Sequence, residues 1–373
     1  MKSFPTVPRR LVTTVIGLIS LARADPIDVS ADLAAYTQDG QVPALAAAAI
    51  LDGKIIAAGV TGVRKFGDPT PATLDDKFHI GSCTKSMTAT LAAMLVADGK
   101  IQWNTTIAEV FPNFKISPDY REVTLVQLLS NTAGVPHDVP PELWTSTVAN
   151  REEPESKQRL DLAKALLKLP PDSPPGTKNV YSNGGFTIAG AMLEKVSGSS
   201  YQKLAADRLF TPLHLTTAGF GAPATAGKIT QPYGHILRDG APFPIPPGPD
   251  ADNPPAITPA GRVHLSILDL ARYASFHLGT EKNALLPAAS LKFLHTIVPP
   301  ATDYALGWVL LERPWSGGPA LYHNGTNTMN YTVMWLAPGR RFAAVATCTI
   351  DSGIGSKACD DAVSLLIRRF LKQ

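Results

Sequence analysis

The stretch Gly81-Ser82-Cys83-Thr84-Lys85 opens a run of apolar residues that ends at Gly99. The run repeats with helical spacing, so Ser82 and Lys85 are predicted to lie on one face of the first helical turn. A lysine shielded from water has a lowered pKa and can take the proton of a serine hydroxyl, which makes that hydroxyl a nucleophile. The first amides of the helix would face a developing oxyanion. The alternative is an ordinary capped amphipathic helix, and the rest of the chain decides between the two.

The chain has 373 residues, 45% of them hydrophobic and 17% charged, which suits one large or two interleaved globular domains. Residues 1–24 are typical of a signal peptide: basic residues, the apolar run Leu11 to Leu21, and Ala22-Arg23-Ala24 as a cleavage site. The run is too short to span a bilayer, so no stable membrane span is expected after cleavage. The sequence therefore predicts an exported protein, periplasmic or extracellular, by the general or the twin-arginine route.

Charge and cysteine content exclude several classes of function. The net charge of +3 at pH 7 includes four cations and no acid from residues 1–24, so the remaining chain is close to neutral. A near-neutral body argues against nucleic-acid binding. Cys83, Cys348 and Cys359 are too few and too irregularly spaced for a disulfide framework or a zinc site. Cys83 is expected to pack as a small apolar side chain, while a bridge between Cys348 and Cys359 stays open.

Strand patterns occur at both ends of the chain. Near the amino terminus, Asp52-Gly53 is a tight-turn signal between two apolar runs, residues 46–51 and 54–60. Near the carboxyl terminus, three runs predict an antiparallel meander, which a final amphipathic helix from about Lys357 to Leu371 follows. The three runs are residues 320–325, 331–337 and 342–350.

Helical patterns fill most of the chain between these strands: residues 124–129, 158–169, 186–196 and 266–277. Residues 242–259 carry eight prolines, and we expect an ordered surface loop there without regular structure, or less favourably a disordered tether. The prediction is an α+β fold: an antiparallel β-sheet flanked by helices and built from both chain ends, residues 25–80 and 260–373. Residues 81–259 would form an inserted, mostly helical domain, with the active site between the two domains.

Two further triplets carry chemistry that complements Ser82 and Lys85. In Tyr181-Ser182-Asn183, an extended backbone would turn the tyrosine and the asparagine to the same side. A tyrosine hydroxyl can pass a proton, and a carboxamide can bind a substrate amide. His323-Asn324-Gly325 lies in the first predicted meander strand, where glycine would let a substrate backbone approach closely. Taken alone, each triplet is also common as a turn or as a structural histidine.

Together and in this order, the three motifs resemble those of the serine β-lactamase and penicillin-binding-protein superfamily. The resemblance is to the branch that contains class C β-lactamases and D-alanyl-D-alanine carboxypeptidases, with S-x-x-K, Y-x-N and H-x-G motifs. It implies a β-lactamase/transpeptidase-like fold over nearly the whole chain after residue 24. Connecting segments such as Leu128 to Gly134, Pro212 to Leu215 and Leu306-Gly307-Trp308 also resemble those of the family.

The resemblance implies a role for each matching residue. Ser82 would be the acylated nucleophile, with Lys85 as the base or proton relay and Tyr181 as the second proton carrier. Asn183 would position the substrate. The backbone amides of Ser82 and Thr326 would form the oxyanion hole. Whether Lys85 or Tyr181 is the working base stays open.

The third motif departs from the lysine form of the family, because His323 stands before Asn324 and Gly325 where many relatives have lysine. A lysine there helps to hold a substrate carboxylate, whereas a histidine is mostly neutral at pH 7 and offers a directional hydrogen bond. We therefore expect weaker carboxylate binding. Asn131, where relatives often have histidine, is a milder difference that could simply cap the preceding helix.

The leading hypothesis is an exported serine hydrolase that forms an acyl-enzyme on ester or amide substrates, with no cofactor and no metal. A D,D-peptidase (penicillin-binding protein) or class C-like β-lactamase is the nearest alternative, and His323 disfavours it. A non-catalytic binding protein on the same fold is the alternative of another class. The retained Ser82, Lys85, Tyr181 and Asn183 argue against it. The expected partner is a small-molecule or peptide substrate, and the oligomeric state stays open.

Overall fold

The computed structural model describes residue 1, residues 25–280 and residues 285–371. The predicted signal peptide therefore lies, apart from Met1, outside the described residues. Across the described ranges, no helix has both the length and the hydropathy that a membrane crossing requires.

The strands of the described residues are short to medium in length. They are β1 (Ile27–Asp28), β2 (Ala44–Leu51), β3 (Lys54–Gly62), β4 (Lys77–His79), β5 (Gly219–Phe220), β6 (His235–Arg238), β7 (Ala241–Pro244), β8 (Val263–Ser266), β9 (Val309–Glu312), β10 (Pro319–Thr326), β11 (Tyr331–Ala337) and β12 (Phe342–Cys348).

The helices lie mostly between β4 and β9 in the sequence. They are α1 (Ser30–Leu33), α2 (Thr84–Ala97), α3 (Ile107–Val110), α4 (Leu125–Leu129), α5 (Pro141–Ala149), α6 (Glu155–Leu166), α7 (Asn183–Ser197), α8 (Tyr201–Ala205), α9 (Thr258–Gly261), α10 (Ile267–His277), α11 (Ala288–Leu294) and α12 (Gly353–Phe370).

Seven strands form the main sheet, in the order β1-β3-β2-β12-β11-β10-β9. Its centre is the antiparallel pair β2–β12, in which Leu45 lies opposite Cys348 and Leu51 lies opposite Phe342. Strands from the two ends of the chain therefore pair directly. The predicted α+β fold, with a sheet built from both chain ends, is confirmed, and the predicted meander is its β10–β11–β12 part. The sheet is antiparallel except for the two-residue β1, which pairs with β3 in parallel.

The side chains of β2 explain how the sheet is covered. Every second residue, from Ala44 to Ile50, packs into the larger core, while Leu45, Ala47 and Ala49 pack into a second core. This alternation follows the two-residue repeat of a strand, and it means that both faces are buried. Helix α10 and helix α12 both contact β2 and β12. The small alanine side chains let them approach closely.

The predicted helices are present, but their bounds differ by a few residues because hydrogen-bonding caps set them. Helix α7 begins at Asn183 rather than Phe186, because the Ser182 side chain accepts a hydrogen bond from Gly185 N at 3.1 Å. The last helix begins at Gly353 rather than near Lys357 for the same reason, with Ser352 as its cap. The first shift matters for the site, since it places Asn183 at the start of a rigid helix.

The expectation for residues 242–259 is wrong. Pro242 and Pro244 lie in β7, which pairs with β6 in a separate two-stranded sheet, where a missing amide donor is tolerated. Pro249 and Pro255 each occupy the first position of a short 3-10 turn, where proline fits well. The second half of the segment is buried rather than superficial, since Asp252 is 7% exposed. The division of the chain into a sheet domain and an inserted helical domain stays a prediction.

Gly307 provides a stability test of the packing around α2. Its φ angle is +76°, and a Cβ atom there would lie 2.7 Å from Ser86 Cα and 2.8 Å from Lys85 C. Gly198, which ends α7 with a φ angle of +68°, has open space around such an atom. We expect Gly198→Ala to lower the free energy of unfolding by about 1–2 kcal/mol, the cost of a left-handed alanine. Gly307→Ala should cost clearly more, because a backbone clash adds to the strain. Urea unfolding of both variants measures this, and equal losses would contradict the packing.

Candidate active site

The structure places Ser82 and Lys85 together, as the S-x-x-K spacing predicts. Ser82 lies in a short 3-10 turn, Gly81–Cys83, that leads directly into α2. Lys85 Nζ is 3.0 Å from Ser82 Oγ, which is hydrogen-bonding distance. Lys85 has no exposed surface, even though lysine is almost never fully buried without partners.

Two oxygen acceptors hold the Lys85 amine from the other sides. Its Nζ donates to Asn183 Oδ1 at 2.7 Å and to the Ala260 carbonyl at 2.8 Å. Burial lowers the pKa of Lys85 well below that of an ordinary lysine, because the charged form loses its hydration. The Ala260 contact was not predicted, since a main-chain carbonyl leaves no signal in the sequence.

Tyr181 also lies beside Ser82. Lys85 Nζ is 4.6 Å from the centre of the Tyr181 ring. Burial raises the pKa of Tyr181 above its usual value, and the interaction of its hydroxyl with the Ser82 side chain offsets only part of that rise. The structure therefore brings Ser82, Lys85, Tyr181 and Asn183 into one cluster.

Asn131 holds the Tyr181 segment in place. Its carbonyl accepts from Val180 N at 2.7 Å, and its side-chain Oδ1 accepts from Ser182 N at 3.1 Å. Asn131 has a φ angle of +58° and follows α4, and Thr132 N donates back to Gln127 O at 2.9 Å. This is the Schellman pattern of a helix end, so the residue caps α4 as considered above. Its second role, holding the Tyr181 segment, has no signal in the sequence.

The main chain of the third motif packs directly against the main chain of the Gly81–Cys83 turn. A Cβ atom at Gly325 would lie 2.1 Å from Ile80 O and 2.5 Å from Ser82 N, and one at Gly81 would lie 2.2 Å from Thr326 N. Both positions therefore require glycine. The contact brings the main chain at Ser82 and at Thr326 side by side, as an oxyanion hole made of these two amides requires.

His323 is buried, and it is not a free hydrogen-bonding group. Its Nδ1 faces the Asn324 carbonyl at 2.5 Å, and its Nε2 lies 3.2 Å from the Tyr304 hydroxyl. Burial, assisted by nearby Lys85, lowers the pKa of His323 to about 3. The imidazole is therefore neutral, as expected from the sequence. Tyr304, which packs edge-on against Tyr181 with ring centres 6.3 Å apart, was not predicted.

All three cysteines are free and buried. Burial raises the pKa of the Cys83 thiol, and its Sγ faces the His323 carbonyl at 3.6 Å, so it packs rather than reacts. Cys348 and Cys359 are both thiols, without a bridge between them. Within residues 25–280 and 285–371, no group of three or more His, Cys, Asp or Glu side chains could hold a metal ion.

A groove of about 960 Å³ lies elsewhere, between the α3 region and the helices α6 and α7. Phe111, Phe114 and Leu160 contribute to its lining, and none of the candidate site residues does. This groove is therefore separate from the candidate site, which is identified by its chemistry.

Known proteins with similar sequences are penicillin-binding proteins and related chains. Penicillin-binding protein 4 of Amycolatopsis lactamdurans is 28% identical over 342 residues, which cover 88% of this chain and 85% of the relative. Protein flp of Staphylococcus aureus (strain COL) is 24% identical over 320 residues. These cover 84% of this chain but only 61% of flp, so the chain spans about three fifths of that relative.

Solved structures share the fold. A β-lactamase/D-alanine carboxypeptidase from Pseudomonas syringae superposes with a TM-score of 0.73 at 18% identity, covering 92% of this chain and 98% of the other. The profile of the Beta-lactamase family matches residues 29–367, which include all three motifs. With the motifs assembled around Ser82 and most of its length matched, the chain belongs to the Beta-lactamase family.

Proposed function

We propose that this protein is a serine hydrolase that forms an acyl-enzyme on Ser82 with ester or amide substrates. The observation that carries the proposal is the buried Lys85 amine, 3.0 Å from Ser82 Oγ and held by two acceptors. Membership of the Beta-lactamase family supports the same reaction class.

The contacts of Lys85 support a role as the base. Asn183 Oδ1 and the Ala260 carbonyl can only accept hydrogen bonds, so a neutral amine donates both of its N–H groups to them. The lone pair is then left for the hydroxyl proton of Ser82. The lowered pKa of Lys85 favours this neutral form. Lys85 is therefore the base that activates Ser82.

Tyr181 takes the complementary role. Its raised pKa keeps the phenol protonated, so it is a donor rather than a base. Ser82 Oγ attacks the carbonyl carbon while its proton passes to Lys85, and the Ser82 and Thr326 amides hold the oxyanion. When the tetrahedral intermediate collapses, Tyr181 protonates the leaving oxygen or nitrogen and regains a proton from Lys85. A water molecule then attacks the acyl carbon while its proton is relayed through Tyr181 to Lys85. The bond from Ser82 Oγ to the acyl carbon breaks as Lys85 returns a proton to Oγ, which frees Ser82.

His323 points to esters as the preferred substrates. A neutral imidazole bound to Tyr304 and Asn324 supplies no fixed positive charge for a substrate carboxylate. A D,D-peptidase or β-lactamase is the second candidate, because penicillin-binding protein 4 and the Pseudomonas syringae enzyme are relatives of that kind. A non-catalytic binding protein would have no need for a buried, activated Lys85. Residues 1–24 further suggest that the substrate, a small molecule or a peptide, is met outside the cytoplasm.

Replacing the nucleophile tests the proposal directly. Ser82→Ala should abolish ester turnover, with losses on the order of a million-fold in comparable assemblies. A fluorophosphonate should label the wild type on Ser82, as located by mass spectrometry, and should not label the variant. Ser86→Ala is the matched control, because Ser86 lies one turn further along α2 and bonds to the Cys83 carbonyl and Tyr273. Labelling of Cys83, or an active Ser82→Ala protein, would refute the assignment.

Lys85 and Tyr181 should act as one proton-transfer unit. Lys85→Ala and Tyr181→Phe should each lower kcat strongly, and the double variant should be far less impaired than the product of the single losses. Since only neutral Lys85 can accept the Ser82 proton, kcat/KM should rise with pH through a pKa well below that of ordinary lysine. Kinetics of the four proteins and a wild-type pH profile measure both effects. Multiplicative losses, or a rising limb near the pKa of free lysine, would count against the unit.

The third motif should control substrate choice. The leaving group of an activated ester departs with little help, whereas a β-lactam also has to be oriented through its carboxylate. For the wild type, kcat/KM should therefore be well above that for chromogenic cephalosporins when the substrate is a short-chain p-nitrophenyl ester. His323→Lys should raise kcat/KM for the cephalosporin relative to the ester, because lysine adds a charge. His323→Asn, which adds none, is the control. A wild type that prefers the cephalosporin would favour the β-lactamase alternative.

A further inference from the structure

Asp252 is a buried carboxylate that none of the three motifs contains. It is 7% exposed, and it lies within the proline-rich stretch, residues 242–259. Its Oδ1 lies close to His79, two residues before the Gly81–Cys83 turn, and to Asn327, the residue after β10. These two segments would supply the oxyanion amides. These contacts place it behind the candidate site rather than at the reacting atoms.

The first contact leads to the nucleophile turn through His79. His79 Nδ1 accepts a hydrogen bond from Gly81 N at 3.1 Å, so the ring proton belongs on Nε2. That Nε2 lies 2.9 Å from Asp252 Oδ1, although the N–H does not point straight at the oxygen. The carboxylate thus favours the tautomer that fixes the Gly81 amide, and Gly81 immediately precedes Ser82.

The second contact leads to the other amide through Asn327. Asn327 Nδ2 donates to the same Oδ1 of Asp252 at 3.3 Å. Its own Oδ1 accepts from Met329 N at 3.3 Å and from Asn330 Nδ2 at 3.0 Å. Asn327 is 2% exposed and follows Thr326 directly, so its position constrains the Thr326 main chain.

The other oxygen anchors Asp252 to the segment that binds Lys85. Arg262 Nε donates to Asp252 Oδ2 at 3.1 Å, and Ala260, whose carbonyl holds Lys85, lies two residues before Arg262. Although burial opposes ionisation, the His79 and Arg262 contacts lower the pKa of Asp252 to about 2, so it is charged at neutral pH. One anion therefore connects all three parts of the candidate site.

We infer that Asp252 is a positioning residue that, through His79 and Asn327, sets how the Ser82 and Thr326 amides face a shared oxyanion. The inference rests on the proposed hydrolase function. In Asp252→Asn, an NH₂ group replaces one carboxylate oxygen and faces either Arg262 or the pair His79 and Asn327. Because these groups are themselves donors, the contact on that side should be lost. Asn327→Ala removes only the second arm, and it is the milder variant if Asp252→Asn folds poorly.

The test compares ester kinetics with local backbone protection. Asp252→Asn should lower kcat on the order of 100-fold with little change in KM, since small misplacements of oxyanion donors have effects of that size. Amide hydrogen exchange, followed by mass spectrometry, should become faster in peptides that cover residues 79–84 and 325–331. Asn327→Ala should accelerate exchange mainly in the second peptide and lower kcat less.

Asp269→Asn is the matched control. Asp269 is also a buried carboxylate; it lies in the first turn of α10 and accepts from Thr217 N at 2.7 Å, without contact to the candidate site. It should lower Tm but leave kcat per folded molecule close to wild type and leave exchange in both site peptides unchanged.

The outcomes separate this inference from the proposed function. Wild-type kcat in both Asp252→Asn and Asn327→Ala, or unchanged exchange in both peptides, would overturn the positioning role. So would an equal loss of kcat in Asp269→Asn, because the effect would then be general destabilisation. A wild type that neither hydrolyses esters nor reacts with the phosphonate would refute the hydrolase proposal, and the exchange data would still decide whether Asp252 fixes the two segments.

Discussion

The candidate site is built around one buried amine. A lysine without exposed surface is tolerated only when its N–H groups find partners, because an unpaired buried polar group costs several kcal/mol. The partners of Lys85 come from separate parts of the chain: Ser82 from the preceding turn, Asn183 from the start of α7 and the Ala260 carbonyl from α9. Satisfying this one group therefore fixes three segments relative to one another. The same burial that makes the arrangement demanding lowers the pKa of the amine.

Much of this arrangement is predictable from the sequence, because its parts have local signatures. The spacing of Ser82 and Lys85 fixes a shared helix face, and apolar runs bounded by turn signals identify β2, β3 and the meander. Sheet strands at both ends of the chain then imply a sheet that joins them. Gly325 is a further local signal, since a glycine inside a strand indicates close approach of another backbone. Here that backbone is the Gly81–Cys83 turn, which contains Ser82.

The parts that the sequence does not reveal depend on contacts between distant residues. Ala260 acts through a carbonyl that every residue type has. Tyr304 belongs to the site only because it contacts His323. Asp252 belongs to it only because it contacts His79 and Asn327. The prediction for the proline-rich segment is wrong because proline is excluded only from helix interiors and central strands. Proline fits edge strands and the first positions of turns. Composition alone cannot tell a surface loop from a segment that supports a site.

The pairing of β2 with β12 also bears on the order of events during synthesis. Residues about 300 positions apart, such as Leu45 and Cys348, lie opposite each other at the centre of the sheet. A growing chain holds Ser82 and Lys85 early, but Thr326 and the strands that carry it emerge last. Long-range pairing of this kind has to pay a large loop-closure entropy before its contacts form. A nascent or truncated chain without β12 therefore contains Ser82 and Lys85 but lacks the fold around them, so a reagent that reacts with Ser82 only in the assembled site would report that the carboxyl-terminal strands have docked.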